Sequence, residues 1–403
     1  MRIVDVNEFY SPVGGGVRTY LDRKIPILSS LGHELIVIAP GTEDRVEDRP
    51  GGGRIHYVRA PRMPFDSRYG LFWDRKAVTG LLDHYDPDVV ETSSPWRPAW
   101  IVGEWQGRAL KSFFMHNDNM EAYAMRWFEG FASRARIEQA FGWYTRYMGR
   151  FLQPYDVVVA NGPALARRMR ARGVRVDADI TLGIEREHFS PSLRDDALRR
   201  ALLAQCGLPE SGHLLVAIGR HHGEKRWPVV IDAVERAGAS LPVGLVMIGE
   251  GVETRALERR VAASPHIRLF RPVRDRHQLA RIMASCDAYI HGNDSETFGL
   301  VVSEALACGA PLIVPDIGGA AEVAQPPFSE TFAARDARAG ADAIARLFAR
   351  DAAMLRRAAA VAAVKVPSDQ DHAAMLVDYY ARAIAARLPD EQAQAGARDV
   401  NAA

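Results

Sequence analysis

Residues 214–225 read LLVAIGRHHGEK: an unbroken apolar run passes into a turn that holds two glycines, an arginine and a lysine. The N-terminus has a similar arrangement, since the mainly apolar residues 3–6 are followed by Gly14, Gly15 and Gly16 and then by a helical pattern. An unbroken apolar run favours a parallel strand covered on both faces, and a strand followed by a helix begins a βαβ unit. The arrangement of strand, glycine-containing turn and helix thus occurs twice along the chain, which predicts an α/β protein of two Rossmann-like, doubly wound domains.

Short runs rich in Val, Ile and Leu are predicted to be strands, with helical patterns between them. The predicted strands are 3–6, 34–39, 88–91, 112–115, 156–160, 214–218, 244–248, 267–270, 287–291 and 311–315. Pro26 lies inside the first predicted helix and is expected to break or kink it. Two such domains facing one another would form a cleft, and ligands of open α/β sheets bind beyond the carboxyl ends of the strands. We therefore expect the functional residues in the turns that follow strands.

The boundary between the two domains is placed at a polar segment that contains a proline, residues 185–196. The N-terminal domain is expected to span residues 1–188 and to be joined by an amphipathic helix at 369–387. The C-terminal domain is expected to span residues 189–368. The tail 388–403 is rich in Ala, Gln and Asp, and we predict that it is flexible.

The composition is that of an ordinary globular protein, with 48% hydrophobic and 25% charged residues among 403. A net charge of +1 provides no field that would attract nucleic acid. The three cysteines form no disulfide framework and no pair with metal-ligand spacing, which favours a reducing compartment. The N-terminus does not resemble a secretory signal, and no run approaches the roughly 20 apolar residues that span a bilayer. We expect a cytoplasmic protein.

A second polar turn occurs within HGNDSETFGLVVSEALACGAPLIV, residues 291–314. The loop 291–299 follows a predicted strand, and a helix is predicted from about residue 300 to 308, where Gly309 ends it. The free N–H groups at the start of this helix suit an anion such as a phosphate.

Two glutamates flank the start of that helix. Glu296 precedes it and Glu304 lies about one turn into it, so both carboxylates can face the hydroxyls of one small ligand. The alternative interpretation is that Glu296 is a surface residue and that Glu304 lies near a helix start because the dipole favours it there.

The turn that follows residues 214–218 contains Arg220 and Lys225. An arginine can bind two phosphate oxygens at once, and a lysine adds a point charge, so the turn is a candidate phosphate site. The alternative is a solvated basic turn. We expect that replacing either residue weakens the binding of a phosphate-bearing ligand.

In the N-terminal half, Gly14–Gly16 and His116 also follow predicted strands. The glycines do not form the GxGxxG fingerprint of dinucleotide binding, but they permit a close backbone approach to a phosphate or a sugar. A plain tight turn and a structural histidine remain the alternatives at these two places.

Together these motifs resemble glycosyltransferase family 4, a large family of retaining enzymes with the GT-B fold, in which two Rossmann-like domains face one another across a cleft. The Glu-x7-Glu element of the family is matched by Glu296 and Glu304, and its Gly-Arg…Lys turn by Gly219, Arg220 and Lys225. Further matches extend the resemblance over nearly the whole chain: Gly249–Gly251 and Gly183–Pro191, and, more loosely in the N-terminal domain, Gly14–Gly16 and His116.

The resemblance implies transfer of a hexose from a nucleoside-diphosphate sugar with retention and without a metal ion or other cofactor. Arg220 and Lys225 would neutralise the leaving diphosphate, Glu296 would bind the donor sugar, and Glu304 would bind the ribose. His116 would contact the donor sugar from the opposite domain. The other residues expected at the donor are Gly15, Gly16, Gly219, Gly249, Arg271, Val273, Thr297, Phe298, Gly299 and Leu300.

The donor is expected to be a UDP-sugar, with GDP-mannose as the second candidate, and the acceptor a glycan or a lipid-linked glycan of cell-envelope or polysaccharide synthesis. Two other functions stay open: a sugar-nucleotide epimerase of the same fold, which needs no acceptor, and a non-catalytic glycan-binding protein. Product analysis would separate the first from a transferase. Donor hydrolysis in the absence of an acceptor would exclude the second.

Residues 125–155 interleave aromatic and basic side chains. One interpretation is a face that lies on an anionic membrane, which would place the protein peripherally on the inner side of the cytoplasmic membrane. The other is that the aromatic residues are core and the arginines are its solvated rim.

Overall fold

The computed structural model describes residues 1–11, 16–63, 66–125, 128, 130–296 and 298–400, with the backbone alone for 66–68, 122–123 and 388–400. The chain divides into two compact units, Met1–Thr181 with Asp369–Ala403, and Leu182–Ser368. The predicted boundary after residue 188 therefore lies inside the second unit. Ile184 and Phe189, which precede or adjoin that boundary, are buried in the core of the second unit.

The first unit is built on an eight-stranded sheet of order β10-β9-β8-β7-β1-β2-β4-β3, parallel except for β3. Its strands are β1 (Arg2–Val6), β2 (Glu34–Gly41), β3 (Arg45–Asp48), β4 (Arg54–Arg59), β7 (Val89–Thr92), β8 (Leu110–Met115), β9 (Val157–Ala160) and β10 (Ala178–Asp179), and a separate pair is formed by β5 (Arg62–Met63) and β6 (Asp66–Gly70). The helices are Gly16–Ser30, Arg75–Tyr85, Arg97–Glu104, the π-helix Met120–Met125, Arg134–Ala140, Gly142–Leu152, Pro163–Ala171 and Asp369–Val400.

The second unit is built on a parallel six-stranded sheet of order β13-β12-β11-β14-β15-β16. Its strands are β11 (His213–Ile218), β12 (Val243–Ile248), β13 (Ile267–Phe270), β14 (Ala288–Ile290), β15 (Leu312–Pro315) and β16 (Ser329–Phe332). The helices are Asp196–Gln205, Trp227–Gly238, Thr254–Val261, Arg276–Ser285, Leu300–Ala307, Gly319–Val323, Ala337–Phe348 and Ala352–Ala363, with 3-10 turns at Arg186–His188, Pro191–Leu193 and Gly223–Lys225.

The two parallel sheets confirm the predicted α/β class. The apolar runs at β1, β2, β9, β11 and β12 are almost entirely buried, because helices cover both faces of a parallel sheet. The strands that the sequence did not predict lack such runs. The edge strand β16, for example, reads SETF and exposes part of its length.

Two helices bear on expectations from the sequence. The helix Gly16–Ser30 spans Pro26, so the proline does not break it, and Ile25 and Leu28 are buried on either side. The last helix continues through the tail to Val400, although the tail contains Pro389 and Gly396, which have low helix propensity. Residues 401–403 lie outside the described part of the chain.

A buried network of charges fixes this last helix to the sheet of the first unit. Lys24 Nζ donates to Glu91 Oε1 at 2.6 Å, and both side chains are at most 1% exposed. Tyr380 of the helix Asp369–Val400 donates to the other oxygen of Glu91 at 2.5 Å and bonds Ser112 of β8 at 2.8 Å. Burial alone would lower the pKa of Lys24, but the charge of Glu91 raises it above its ordinary value. Lys24 and Glu91 are therefore both charged, and each stabilises the charge of the other.

Replacing Lys24 with methionine leaves Glu91 buried without its countercharge. We expect Lys24→Met to reduce the free energy of unfolding by about 3–5 kcal/mol in urea titrations. Arg382→Met is the control, since Arg382 pairs with Asp378 at 2.9 Å while both side chains are about 70% exposed, and we expect it to cost at most about 1 kcal/mol. Equal losses in the two variants would contradict this account of the network.

Candidate active site

Lys225 and Glu296 form an ion pair beyond the carboxyl ends of two strands of the second unit. Lys225 ends the turn Gly223–Lys225 after β11, and Glu296 lies in the loop after β14. Since β11 and β14 are parallel neighbours, these loops meet although 71 positions separate the residues, and Lys225 Nζ donates to Glu296 Oε2 at 2.8 Å. The two side chains are 15% and 23% exposed. A small ligand can therefore reach a pair that is largely removed from water.

The loop around Glu296 fixes both its carboxylate and its backbone. Asn293 Nδ2 donates to Glu296 Oε2 at 3.1 Å, and the N–H of Gly319 donates to the Glu296 carbonyl at 2.7 Å. Burial alone would raise the pKa of Glu296, but the charge of Lys225 and the nearby His291 ring lower it below its ordinary value. Glu296 is therefore a carboxylate at neutral pH and accepts hydrogen bonds.

His291 also lies against the Glu296 carboxylate and is 4% exposed. Its Nε2 lies 3.4 Å from Glu296 Oε2, the oxygen that Lys225 contacts, and makes no hydrogen bond within the described residues. Burial lowers the pKa of His291, and its ring is neutral at neutral pH. Sequence reasoning missed both His291 and Asn293, although each stands within five positions of the glutamate in the quoted motif.

Glu304, which the sequence placed at the ribose, is already paired inside the unit. Arg276 Nη2 donates to Glu304 Oε1 at 2.5 Å, and Arg276 Nε lies 3.0 Å from Glu185 Oε2. The guanidinium also lies over the Phe189 ring, 4.9 Å from its centroid. The sequence offered no signal for this cluster, because its members come from three separate segments of the chain.

The helix Leu300–Ala307 begins as expected after Gly299, whose φ of +79° suits a residue without a side chain. Gly309 has a φ of +70° directly after the C-cap, which confirms its predicted place at the end of this helix. Phe298 is half-buried before the helix. Thr297 lies outside the described residues.

Gly219 and Gly249, which follow the neighbouring strands β11 and β12, approach one another closely. A Cβ atom at Gly249 would lie 1.9 Å from the carbonyl oxygen of Gly219, so no residue with a side chain fits there. This contact of two turns explains the glycine at position 249, whatever ligand binds above it, while a Cβ atom at Gly219 would meet only the Lys225 side chain at 3.4 Å.

Other predicted residues of the second unit are exposed. Arg220 Nη2 donates to Glu224 Oε1 at 2.8 Å, and the Arg220 side chain is 76% exposed, so in the described chain it is not part of the Lys225–Glu296 cluster. Arg271 is exposed and Val273 is half-buried in the loop after β13. Their predicted contacts with a donor stay predictions.

In the first unit, His116 follows β8 and packs its ring against Tyr20 and Phe114, with centroids 5.0 and 4.8 Å away. Burial lowers the pKa of His116 to about 4, so it is neutral at neutral pH. Gly16 begins the helix Gly16–Ser30 with open space beside its Cα, and Gly15 lies outside the described residues. The role of His116 at a donor sugar stays a prediction.

Within the described chain, no group of three or more His, Cys, Asp or Glu side chains is arranged to hold a metal ion. A search of the described helices finds none with the length and apolar character needed to cross a bilayer.

Comparison with known proteins identifies the family. Residues 14–181 match the family described as Glycosyltransferase Family 4, and residues 212–350 match Glycosyl transferases group 1. The chain belongs to glycosyltransferase family 4. It is a hexosyltransferase with the GT-B fold, as the sequence motifs predicted.

Two relatives and one solved structure illustrate the similarity of this family 4 enzyme to known proteins. A GDP-mannose-dependent alpha-mannosyltransferase of Mycobacterium tuberculosis is 29% identical over 81% of this chain and 82% of its own length. A GDP-mannose-dependent alpha-(1-6)-phosphatidylinositol dimannoside mannosyltransferase of the same species is 28% identical over 97% of this chain and 99% of its own length. The structure of a sucrose-phosphate synthase from Thermosynechococcus elongatus superposes with a TM-score of 0.72 at 18% identity, covering 96% of this chain and all of that one, which supports the fold alone.

Replacing Glu296 with glutamine removes the charge while it keeps the size of the side chain. We expect Glu296→Gln to reduce turnover by about a hundredfold, because a preorganised charge at the reacting centre is lost, in a protein that still folds. The control is Glu224→Gln, whose carboxylate pairs with the exposed Arg220. Steady-state rates and thermal melts measure both effects. A folded Glu296→Gln enzyme of normal rate would show that the site lies elsewhere.

Proposed function

We propose that this enzyme transfers mannose from GDP-mannose, with retention, to a lipid-linked glycan acceptor. The observation that supports a donor site in the second unit is the Lys225–Glu296 pair beyond β11 and β14, with Glu304 one helix turn away from the loop. Guanosine and mannose are inferred from the printed names of two relatives, each of which is GDP-mannose-dependent. The UDP-sugar that the sequence favoured has no such support.

In the proposed reaction the bond between the anomeric carbon and the diphosphate breaks, and negative charge develops on the leaving phosphate. Lys225 is the cation at this position, and the N–H groups at the start of the helix Leu300–Ala307 supply further positive potential. Glu296, an ionised carboxylate, would accept hydrogen bonds from the sugar hydroxyls. A phosphate that draws Lys225 towards itself would free an oxygen of Glu296 for this purpose.

The ribose is assigned to Glu304. The salt bridge from Arg276 fixes the direction of this carboxylate, which is only 8% exposed. A carboxylate held in one orientation is a good acceptor for vicinal hydroxyls, since hydrogen bonds to a carboxylate are charge-assisted.

We also propose that the acceptor hydroxyl attacks from the face that the diphosphate leaves, and that a phosphate oxygen takes its proton. The described carboxylates of the second unit near the donor, Glu296 and Glu304, are both engaged by cations, so neither suits the nucleophile of a double displacement. No metal ion is assigned to any step.

The donor is tested by measuring transfer from GDP-mannose and from UDP-glucose in excess EDTA. We expect turnover with GDP-mannose, and a rise of the unfolding temperature with GDP that is larger than with UDP or ADP. Preference for UDP in both measurements would contradict the choice of base. Activity that appears only after addition of manganese or magnesium would contradict transfer without a metal.

The segment 125–155 of the first unit bears on the proposal of a lipid-linked acceptor. Tyr144, Met148 and Phe151 of this segment are buried in the core, so the core interpretation holds for part of it. Phe131 and Trp143, in contrast, are 90% and 51% exposed. Exposed arginines occur in the same segment at positions 136, 146 and 150. Trp127 lies outside the described residues.

Exposed aromatic side chains beside exposed arginines match the interface of an anionic membrane, where apolar rings enter the headgroup layer and cations meet phosphates. We therefore propose peripheral contact with such a membrane through this segment, which would bring the enzyme to a lipid-linked acceptor.

The variant Phe131→Ser/Trp143→Ser tests the membrane contact. We expect it to bind vesicles of phosphatidylglycerol and phosphatidylcholine at least tenfold more weakly, because full burial of one apolar side chain contributes about 1.5–3 kcal/mol and about 1.4 kcal/mol is a factor of ten. The control is Met354→Ser/Val361→Ser, which removes side chains that are 71% and 68% exposed in the second unit. Co-sedimentation that is equal for all three proteins, or absent at every lipid composition, would rule the contact out.

A further inference from the structure

Two arginines of the second unit bind the same buried carboxylate, that of Asp294, which is 2% exposed. Arg226 Nε lies 3.4 Å from Asp294 Oδ1, and Arg335 Nε donates to Oδ2. Asp294 belongs to the loop after β14 and stands two positions before Glu296. The carboxylate thus joins this loop to the turn after β11 and to the segment after β16.

Both arginines have left-handed backbone conformations, with φ of 51° at Arg226 and 68° at Arg335. This region is unfavourable for a residue with a Cβ atom and persists where the surrounding contacts over-determine it. Arg226 directly follows Lys225 and is the N-cap of the helix Trp227–Gly238. Asp294 therefore binds the residue next to Lys225 and ties the loop of Glu296 to it.

The Asp294–Glu296 stretch is fixed at its backbone as well. The N–H of Gly319 donates to the Glu296 carbonyl at 2.7 Å. A Cβ atom at Gly318 would lie 3.0 Å from the Asp294 carbonyl oxygen and 3.3 Å from that of Glu296, so the two loops touch along this stretch. The same loop lies against the Lys225 segment, since a Cβ atom at Gly292 would lie 2.8 Å from the Lys225 carbonyl oxygen. The Asp294 carboxylate adds a side-chain tie between these two segments through Arg226.

We propose that Asp294 is a positioning residue for the transfer reaction: by holding Arg226 and Arg335 it sets the distance between Lys225 and Glu296, and so between the leaving phosphate and the donor sugar. This inference rests on the proposed role of Glu296 at the sugar. Asp294 itself does not touch the substrate in this scheme. Its loss misplaces the sugar-binding carboxylate and leaves the cation that binds the diphosphate in the site.

The first test is Asp294→Asn in the full-length enzyme. We expect kcat for mannose transfer to fall by about tenfold to a hundredfold, because small misplacements of a reacting group are costly. The Kd for GDP, which has no sugar, is expected to stay within about twofold of wild type, since the ordinary charge-assisted contacts to its phosphates remain. A purely structural role would instead weaken GDP binding together with kcat.

The second variant, Arg335→Gly, removes one arginine while glycine keeps the left-handed backbone without strain. We expect the same pattern, a lower kcat with unchanged GDP affinity, in a protein that folds normally. The matched control is Glu330→Gln, because Glu330 is likewise held by two arginines of this unit, Arg346 at 2.9 Å and Arg350 at 3.1 Å. Its kcat is expected to match wild type.

The outcomes separate this inference from the proposed function. If wild type transfers mannose and Glu296→Gln does not, the donor site stands, and a normal kcat in folded Asp294→Asn overturns the positioning role alone. A parallel loss of kcat and GDP affinity in Asp294→Asn also overturns it. If wild type does not transfer mannose, or if Glu296→Gln is fully active, the proposed function has failed whatever the Asp294 variants do.

Discussion

The ion pair between Lys225 and Glu296 is the contact on which the candidate site depends. It exists because β11 and β14 are neighbours in a parallel sheet, so that two loops distant in sequence emerge side by side at one edge. A lysine and a glutamate that neutralise one another can remain in a site that is largely shielded from water. An anionic ligand with hydroxyl groups can replace this pairing, since the lysine suits the phosphate and the carboxylate suits the hydroxyls.

The two units use buried charge in different ways. In the first unit, Lys24, Glu91 and Tyr380 form a closed network that fixes the C-terminal helix to the sheet, and the charges are at most 1% exposed. In the second unit, the charges gather in loops beyond the strand ends and keep part of their surface exposed. The first arrangement serves stability, while the second leaves groups available to a ligand at the edge where parallel sheets bind their substrates.

The sequence predicted the fold class and the family, and it named Lys225 and Glu296 as candidates, because these depend on apolar runs and on short motifs that follow strands. It did not predict that the two side chains form an ion pair. It missed strands such as β16, which have no apolar run, and the helix to Val400, whose composition resembled a tail. It also missed Arg276, His291, Asn293 and Asp294. Their contacts depend on how separate loops pack against one another, and a sequence pattern contains no such distances. For the same reason, the sequence could not show that the Arg220 side chain is exposed.

A crystal structure of the enzyme with GDP-mannose, or with an analogue that cannot be transferred, is the most direct measurement of the central claim that the Lys225–Glu296 cluster is the donor site. The account predicts a diphosphate oxygen within hydrogen-bond distance of Lys225 Nζ and a sugar hydroxyl on the Glu296 carboxylate. A donor bound at full occupancy elsewhere, with the Lys225–Glu296 bond intact at its present 2.8 Å, would contradict it.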